Sequence, residues 1–173
     1  MGVAPLIADV LKRRNVRATF FAAQEGTREG DGTLGKHWAP WWKARAAEGH
    51  EFASHTWDHA YWQGDLPPAQ AGGAPRFRIR PSSGTQAGKT MSWTAEQYCG
   101  NLQLAADRLA SVTQHKVLPL FRAAGGKTSP KLLAAAEACG FKHVGWAPAG
   151  FLGDELPSGQ YPNSALLAKA LRD

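Results

Sequence analysis

Four short apolar runs, each parted from the next by helical periodicity, constrain this chain more than any other feature. Val16 to Ala23, His50 to His55, Val117 to Arg122 and Phe141 to Trp146 read as strands. Ile7, Val10 and Leu11 fall on one helical face between Pro5 and Asn15. Lys36 to Glu48 reads as a second helix, with Trp38, Trp41 and Trp42 as bulky contacts. Thr94 and Gln97 have capping-box spacing ahead of a helix on which Tyr98, Leu102, Ala105, Leu109 and Val112 recur. Ser129-Pro130 starts another helix, carrying Leu132, Leu133 and Ala136 and closed by Gly140, and Asn163 to Leu171 forms the last. Strands alternating with helices imply right-handed crossovers and an α/β fold with mainly parallel strands. Such strands want neighbours on both sides, yet the pattern opens and closes on helices. We therefore expect one strand before Met1 and another after Asp173 in the complete protein.

The second strand runs into His55-Thr56-Trp57-Asp58-His59, two imidazoles four residues apart. A divalent metal at a hydrolytic centre needs two or three fixed nitrogens or carboxylates and one open position. If the backbone becomes helical after Ser54, the two rings share a face, with β-carbons about 5 to 6 Å apart. The alternative is a pair of half-buried imidazoles bonded to backbone carbonyls. A third ligand has to come from elsewhere. His50 is expected to pack, and Asp58 to face solvent or to orient a histidine.

Arg17-Ala18-Thr19-Phe20-Phe21, Ala46-Ala47-Glu48-Gly49-His50-Glu51 and Ser54-His55-Thr56-Trp57-Asp58-His59 resemble, in order and spacing, the polysaccharide deacetylases of the NodB-homology type, carbohydrate esterase family 4. That family's His-Ser/Thr-x-x-His motif is present in full. Its Arg-x-Pro-x-Gly motif has a counterpart in Arg122-Ala123-Ala124-Gly125, with Ala124 at the usual proline. The likeness runs from about residue 4 to the end. Neither the family's opening Thr-Phe-Asp-Asp-Gly nor its closing Leu-x-His is found. The resemblance implies an incomplete (β/α) barrel, truncated at both ends, and leads us to expect no appreciable turnover from these 173 residues alone.

The resemblance also implies roles. His55 and His59 would hold a divalent metal, zinc first among candidates, with cobalt and others permitted by the same ligand types. Gly125 would offer its N–H to an oxyanion, and Arg122 would orient a base by a bidentate pair. Trp146 and Asp154 would contact substrate. Without the resemblance, Arg122 reads as a surface ion-pair partner and Trp146 as core. The implied reaction is hydrolysis of acetyl groups on a glycan, and the competing reading is a glycan- or metal-binding module on a degenerate scaffold.

With 43% hydrophobic and 20% charged residues in 173, one domain spanning residues 1–173 suffices. Pro67-Pro68, Gly72-Gly73 and Pro81-Ser82-Ser83-Gly84 mark residues 66–90 as a long loop beside the site, either substrate-binding or disordered. A net charge of +6 and the cluster Arg76, Arg78, Arg80 invite a nucleic-acid reading. No helix-turn-helix, zinc-finger or aromatic-platform pattern accompanies the charge, so an acetylated or polyanionic glycan is the better partner. Cys99 and Cys139 have no metal-type spacing and are expected as buried thiols, although two positions do not decide a disulfide. No apolar run is long enough to span a membrane, and no signal-peptide pattern is seen. An extracytoplasmic location follows from the resemblance alone, and oligomeric state is not read from sequence.

Overall fold

A computed structural model of the chain describes residues 2–146, together with 164, 165 and 168. It divides into two units, Met1–His143 and Val144–Asp173. In the first, helix α1 (Ala4–Arg13) leads into β1 (Thr19–Ala22), α2 (Ala39–Ala47) and β2 (Glu51–Ser54). Strands β3 (Ala60–Leu66), β4 (Arg76–Pro81) and β5 (Met91–Thr94) follow. Helix α3 (Ala95–Thr113), β6 (Leu120–Phe121), α4 (Pro130–Ala138) and β7 (Lys142–His143) complete the unit. In the second unit Ser164, Ala165 and Ala168 are helical, and the rest of the helix expected over 163–171 lies outside the described residues.

Four strands form a parallel sheet in the order β1-β2-β6-β7. Phe20 stands beside Phe52, and Ala22 beside Ser54, which in turn neighbours Phe121. Thus the α/β class and the parallel strands follow the sequence pattern, and among the described residues the sheet stays open rather than closing into a barrel. The long-loop expectation for residues 66–90 needs correction: β4 lies inside it and joins β3 and β5 in a three-stranded antiparallel sheet. The physical reason is strict alternation in Arg76-Phe77-Arg78-Ile79-Arg80. Phe77 and Ile79 are fully buried while Arg78 and Arg80 stay in water, the pattern of a sheet with one face on the core.

Helix α3 joins the two sheets. Its first half places Tyr98 and Leu102 in a core with Phe77, Ile79, Phe121 and Leu132. Its second half places Leu109 and Val112 against Trp42, Phe52 and Leu34. The capping box is complete: Gln97 N–H donates to Thr94 Oγ1 at 3.3 Å, and Thr94 N–H to Gln97 Oε1 at 2.8 Å. Ser129 caps α4 by accepting from Leu132 N–H at 3.1 Å, and Gly140, at φ +91°, supplies the left-handed turn that ends it.

Two expectations about apolar and sulfur groups change. Ile7 and Val10 on α1 are about half exposed, so that face is not core in this unit. Cys99 and Cys139 are not free thiols but form a disulfide that ties α3 to the end of α4. The bridge closes across 40 residues of chain, a proximity only the fold creates.

Candidate functional site

The site residues follow the carboxyl ends of parallel strands, where open α/β sheets place their ligands. Glu25 lies beyond β1, His55 follows β2 directly, and Arg122 follows β6 directly. Backbone hydrogen bonds continue the sheet past its strands: His55 N–H donates to Ala22 C=O at 3.0 Å, Gln24 N–H to Trp57 C=O at 2.9 Å, and Arg122 N–H to Ser54 C=O at 3.0 Å. The frame under the site is therefore backbone, fixed before any side chain is considered.

His55 and His59 come together, but not on a helix. Residues 55–59 form a turn in which Thr56 and His59 have φ of +61° and +47°, conformations that cost non-glycine residues about 1 to 3 kcal/mol. The turn is held from within: Thr56 is fully buried and its Oγ1 accepts from Ala60 N–H at 2.8 Å. The result brings the two rings to 4.7 Å between centroids. The expectation that Asp58 faces solvent or orients a histidine needs correction, because it does neither. Its carboxylate accepts from Asn101 Nδ2 at 2.7 Å and its N–H donates to Asn101 Oδ1 at 3.0 Å, so it moors the turn to α3. His50 packs as expected, buried and accepting from Ala18 N–H through Nδ1 at 3.1 Å.

Each ring is engaged through the same nitrogen. His55 Nδ1 lies 2.7 Å from the Arg122 carbonyl oxygen, which only accepts, so Nδ1 carries the proton and Nε2 keeps its lone pair. Burial pushes the His55 pKa down to about 4, which keeps the ring neutral near pH 7. His59 Nδ1 lies 2.7 Å from Glu25 Oε1 and 2.8 Å from Ser82 Oγ. The hydrogen bond from His59, opposed in part by burial, holds the Glu25 carboxyl below the usual carboxylate range. A histidine that gives its second N–H to a carboxylate or carbonyl has its tautomer set and its ligand strength raised. Two such rings fit two corners of a divalent cation. Among the described residues no group of three or more His, Cys, Asp or Glu side chains assembles into a cage, so a third corner is not supplied there.

Arg122 serves this pair through its backbone carbonyl, while its guanidinium lies 4.3 Å over the Phe21 ring. Gly125 has φ +62°, and a β-carbon there would stand 2.9 Å from Tyr61 Cε1. Tyr61 in turn meets the His59 ring edge-on at 5.0 Å, so glycine is required where the turn after β6 passes under the aromatic wall. Ala124, at the position where the resembling family usually has proline, is fully buried. Trp146 is half-buried within the second unit, and Asp154 lies outside the described residues. Sequence reasoning missed Glu25, Ser82 and Tyr61. Only Ser82 carried a signal, its place at the end of the alternating Arg76–Pro81 run.

Comparison with known proteins agrees with the family resemblance and the fold. The family model described as polysaccharide deacetylase matches residues 2–144. A peptidoglycan-N-acetylglucosamine deacetylase, PgdA of Listeria monocytogenes, is 39% identical over 58 residues, covering 34% of this chain and 11% of that enzyme. A CE4 esterase from Streptococcus mutans shares the fold with a TM-score of 0.62 at 21% identity, over 96% of this chain and 61% of that one. A CE4 family pseudoenzyme from Bacillus anthracis shares it with a TM-score of 0.58 at 18% identity, over 97% and 45%. In each case this chain accounts for less than two thirds of the relative's own length.

Proposed function

Because the chain belongs to the polysaccharide deacetylase family, we propose that its 173 residues are part of one deacetylase domain, a metal-dependent hydrolase that removes N- or O-linked acetyl groups from a glycan. The observation that carries the reading is the convergence of His55 and His59, each engaged through Nδ1 and each left with Nε2. A divalent cation bound there, zinc first and cobalt or another second, supplies Lewis acidity toward water and the acetyl carbonyl. The chain's own residues supply positioning and charge. The Arg122 carbonyl and Glu25 hold the rings in one tautomer. The Gly125 N–H donates to the oxygen on which charge develops, and the Arg122 guanidinium keeps an acidic base charged and aligned. Trp146 and Asp154 are assigned to substrate on resemblance alone.

The disulfide Cys99–Cys139 supports an extracytoplasmic place of action, since such bonds persist in oxidising compartments. The Listeria relative acts, by its name, on peptidoglycan, and a cell-wall or other extracellular glycan suits this reading.

The test is metal uptake followed by turnover. Purified protein is expected to take up zinc or cobalt, and His55→Ala to abolish that uptake; unchanged stoichiometry in the variant removes the metal assignment. Acetate release from acetylated sugar oligomers then separates this reading from a second one, a non-catalytic glycan- or metal-binding module. The second is favoured by one observation, the lack of a third ligand among the described residues. It predicts binding without acetate release, and on the same ground we expect little turnover from the 173 residues by themselves.

A further inference from the structure

Whatever fixes the backbone between His55 and His59 also fixes how the two rings face one another. Thr56 and His59 both stand at positive φ, +61° and +47°, so the turn persists only where its surroundings over-determine it. Much of that hold comes from outside the turn, from one residue within α3. Asn101 meets the two consecutive amides between the rings: its backbone C=O accepts from Trp57 N–H at 2.9 Å, and its Oδ1 accepts from Asp58 N–H at 3.0 Å. Its Nδ2 then donates to Asp58 Oδ2 at 2.7 Å.

The residue type suits this contact and not the helix. Asparagine is a weak helix former because its side chain competes for backbone partners, so within α3 it lowers local stability. A carboxamide, however, presents a fixed acceptor and a fixed donor side by side, matching an N–H and a carboxylate on one neighbour. Leucine has the same branched shape and neither function. Aspartate keeps the acceptor but sets a second carboxylate against Asp58.

The hold extends to both histidines. Asp58 bonds to neither ring, but its C=O accepts from Ser83 N–H at 3.1 Å, and its Oδ1 occupies the space over Gly84 that a β-carbon would need. This pins the end of β4, from which Ser82 Oγ reaches His59 Nδ1 at 2.8 Å. On the other side, Ser54 Oγ donates to the C=O of Leu102 at 2.9 Å, so α3 also grips the residue before His55.

We propose that Asn101 is a positioning residue for the metal pair: by holding the two amides between His55 and His59, it sets the mutual placement of the rings on which one shared cation depends. The inference rests on the metal reading of the pair and deepens it. Groups that orient metal ligands are worth about 10- to 100-fold in affinity, and Asn101, acting through the backbone, belongs at the lower end.

The experiment is calorimetric zinc titration of wild type, Asn101→Leu and the exchange variant Asp58→Asn/Asn101→Asp. In the exchange, amide and carboxylate trade places, and each of the three hydrogen bonds keeps a donor and an acceptor. Val112→Ala, a buried lesion elsewhere on α3, controls for lost stability, and all are measured where the far-UV signal shows them folded. Asn101→Leu is expected to bind zinc about ten-fold more weakly, with the exchange variant and Val112→Ala within about three-fold of wild type. Wild-type affinity in Asn101→Leu, an equal loss in Val112→Ala, or no recovery in the exchange variant overturns the proposal. If Asn101→Leu does not fold, Asn101→Asp takes its place under the same criteria. Imidazole nitrogen NMR of the metal-free samples keeps the two readings apart. Signals of His55 and His59 that move in Asn101→Leu and return in the exchange variant sustain the positioning role even if no sample takes up zinc, a result that strikes only the metal centre. Rings that do not move overturn the proposal whatever the zinc result.

Discussion

The two sheets hold the two histidines in different ways. His55 belongs to the parallel sheet: it extends β2, and its Nδ1 is fixed by a backbone carbonyl at the end of β6. His59 belongs to the antiparallel sheet: it enters β3, and its Nδ1 is fixed by two side chains, Ser82 at the end of β4 and Glu25 from beyond β1. One ring is thus oriented by the fold itself and the other by residues that mutation can remove. The lesson is that a metal pair can be half built into the backbone and half tunable, with α3 binding both halves into one body.

That contrast is easiest to break through α3. Leu102 is fully buried in the core that holds Phe77 and Ile79 of the antiparallel sheet together with Phe121, and Leu109 in the core that holds Phe52 of the parallel sheet. Truncating either to alanine should cost about 2 to 5 kcal/mol. If α3 makes the sheets one cooperative unit, each variant shows a single, lowered transition followed identically by far-UV signal and Trp fluorescence. Two separated transitions would show that the sheets melt independently.

Next in size is the pH response of His55. Its folded pKa, about 4, lies below the unfolded value near 6.5, so the unfolded chain binds more protons between those limits. Stability contributed by the neutral ring is therefore full above about pH 6.5 and is lost as pH falls toward 4, by at most about 3 kcal/mol. In metal-free protein, denaturant midpoints measured from pH 7 to pH 4 should fall more steeply for wild type than for His55→Gln. Equal slopes would place the ring in water.

The tunable half is tested by Glu25→Gln and Ser82→Ala. Removing the carboxylate behind His59 should weaken zinc binding about 10- to 100-fold, with a smaller loss for Ser82→Ala. Calorimetric titration giving wild-type affinity for Glu25→Gln would mean that His59 needs no such support. A smaller effect is expected at Gly125, where alanine meets both a positive φ and Tyr61; a loss of about 1 to 2 kcal/mol in thermal unfolding checks it. Smallest is Tyr98→Phe. The Tyr98 hydroxyl is buried with no partner among the described residues, so its removal should leave stability unchanged or raise it by about 1 kcal/mol.

The same contrast explains what the sequence disclosed. The parallel half was legible because its signals are local: the Phe20 and Phe52 runs, the Thr94–Gln97 capping box and the Ser129-Pro130 start all sit within a few residues of what they specify. The antiparallel half was obscured by punctuation. Its strands β3 and β4 are joined by a Pro- and Gly-rich segment, and the register shifts between Trp62 and Gly64, so the alternation of residues 76–80 looked isolated. The spacing of His55 and His59 suggested proximity for the wrong reason, since a turn with positive φ at Thr56 stands where a helix was expected. Glu25 and the Cys99–Cys139 bridge carried no local signal, because each depends on chain segments that meet only after the sheets have formed.

The central claim is that both rings present Nε2 to one cation while Nδ1 stays protonated. Nitrogen-detected NMR of the imidazoles during a zinc titration reads both nitrogens of both residues. The account predicts that Nε2 of His55 and of His59 shift together and saturate at one zinc per chain, and that both Nδ1 atoms keep their protons. Zinc that moves only one ring, or that binds through Nδ1, would contradict it.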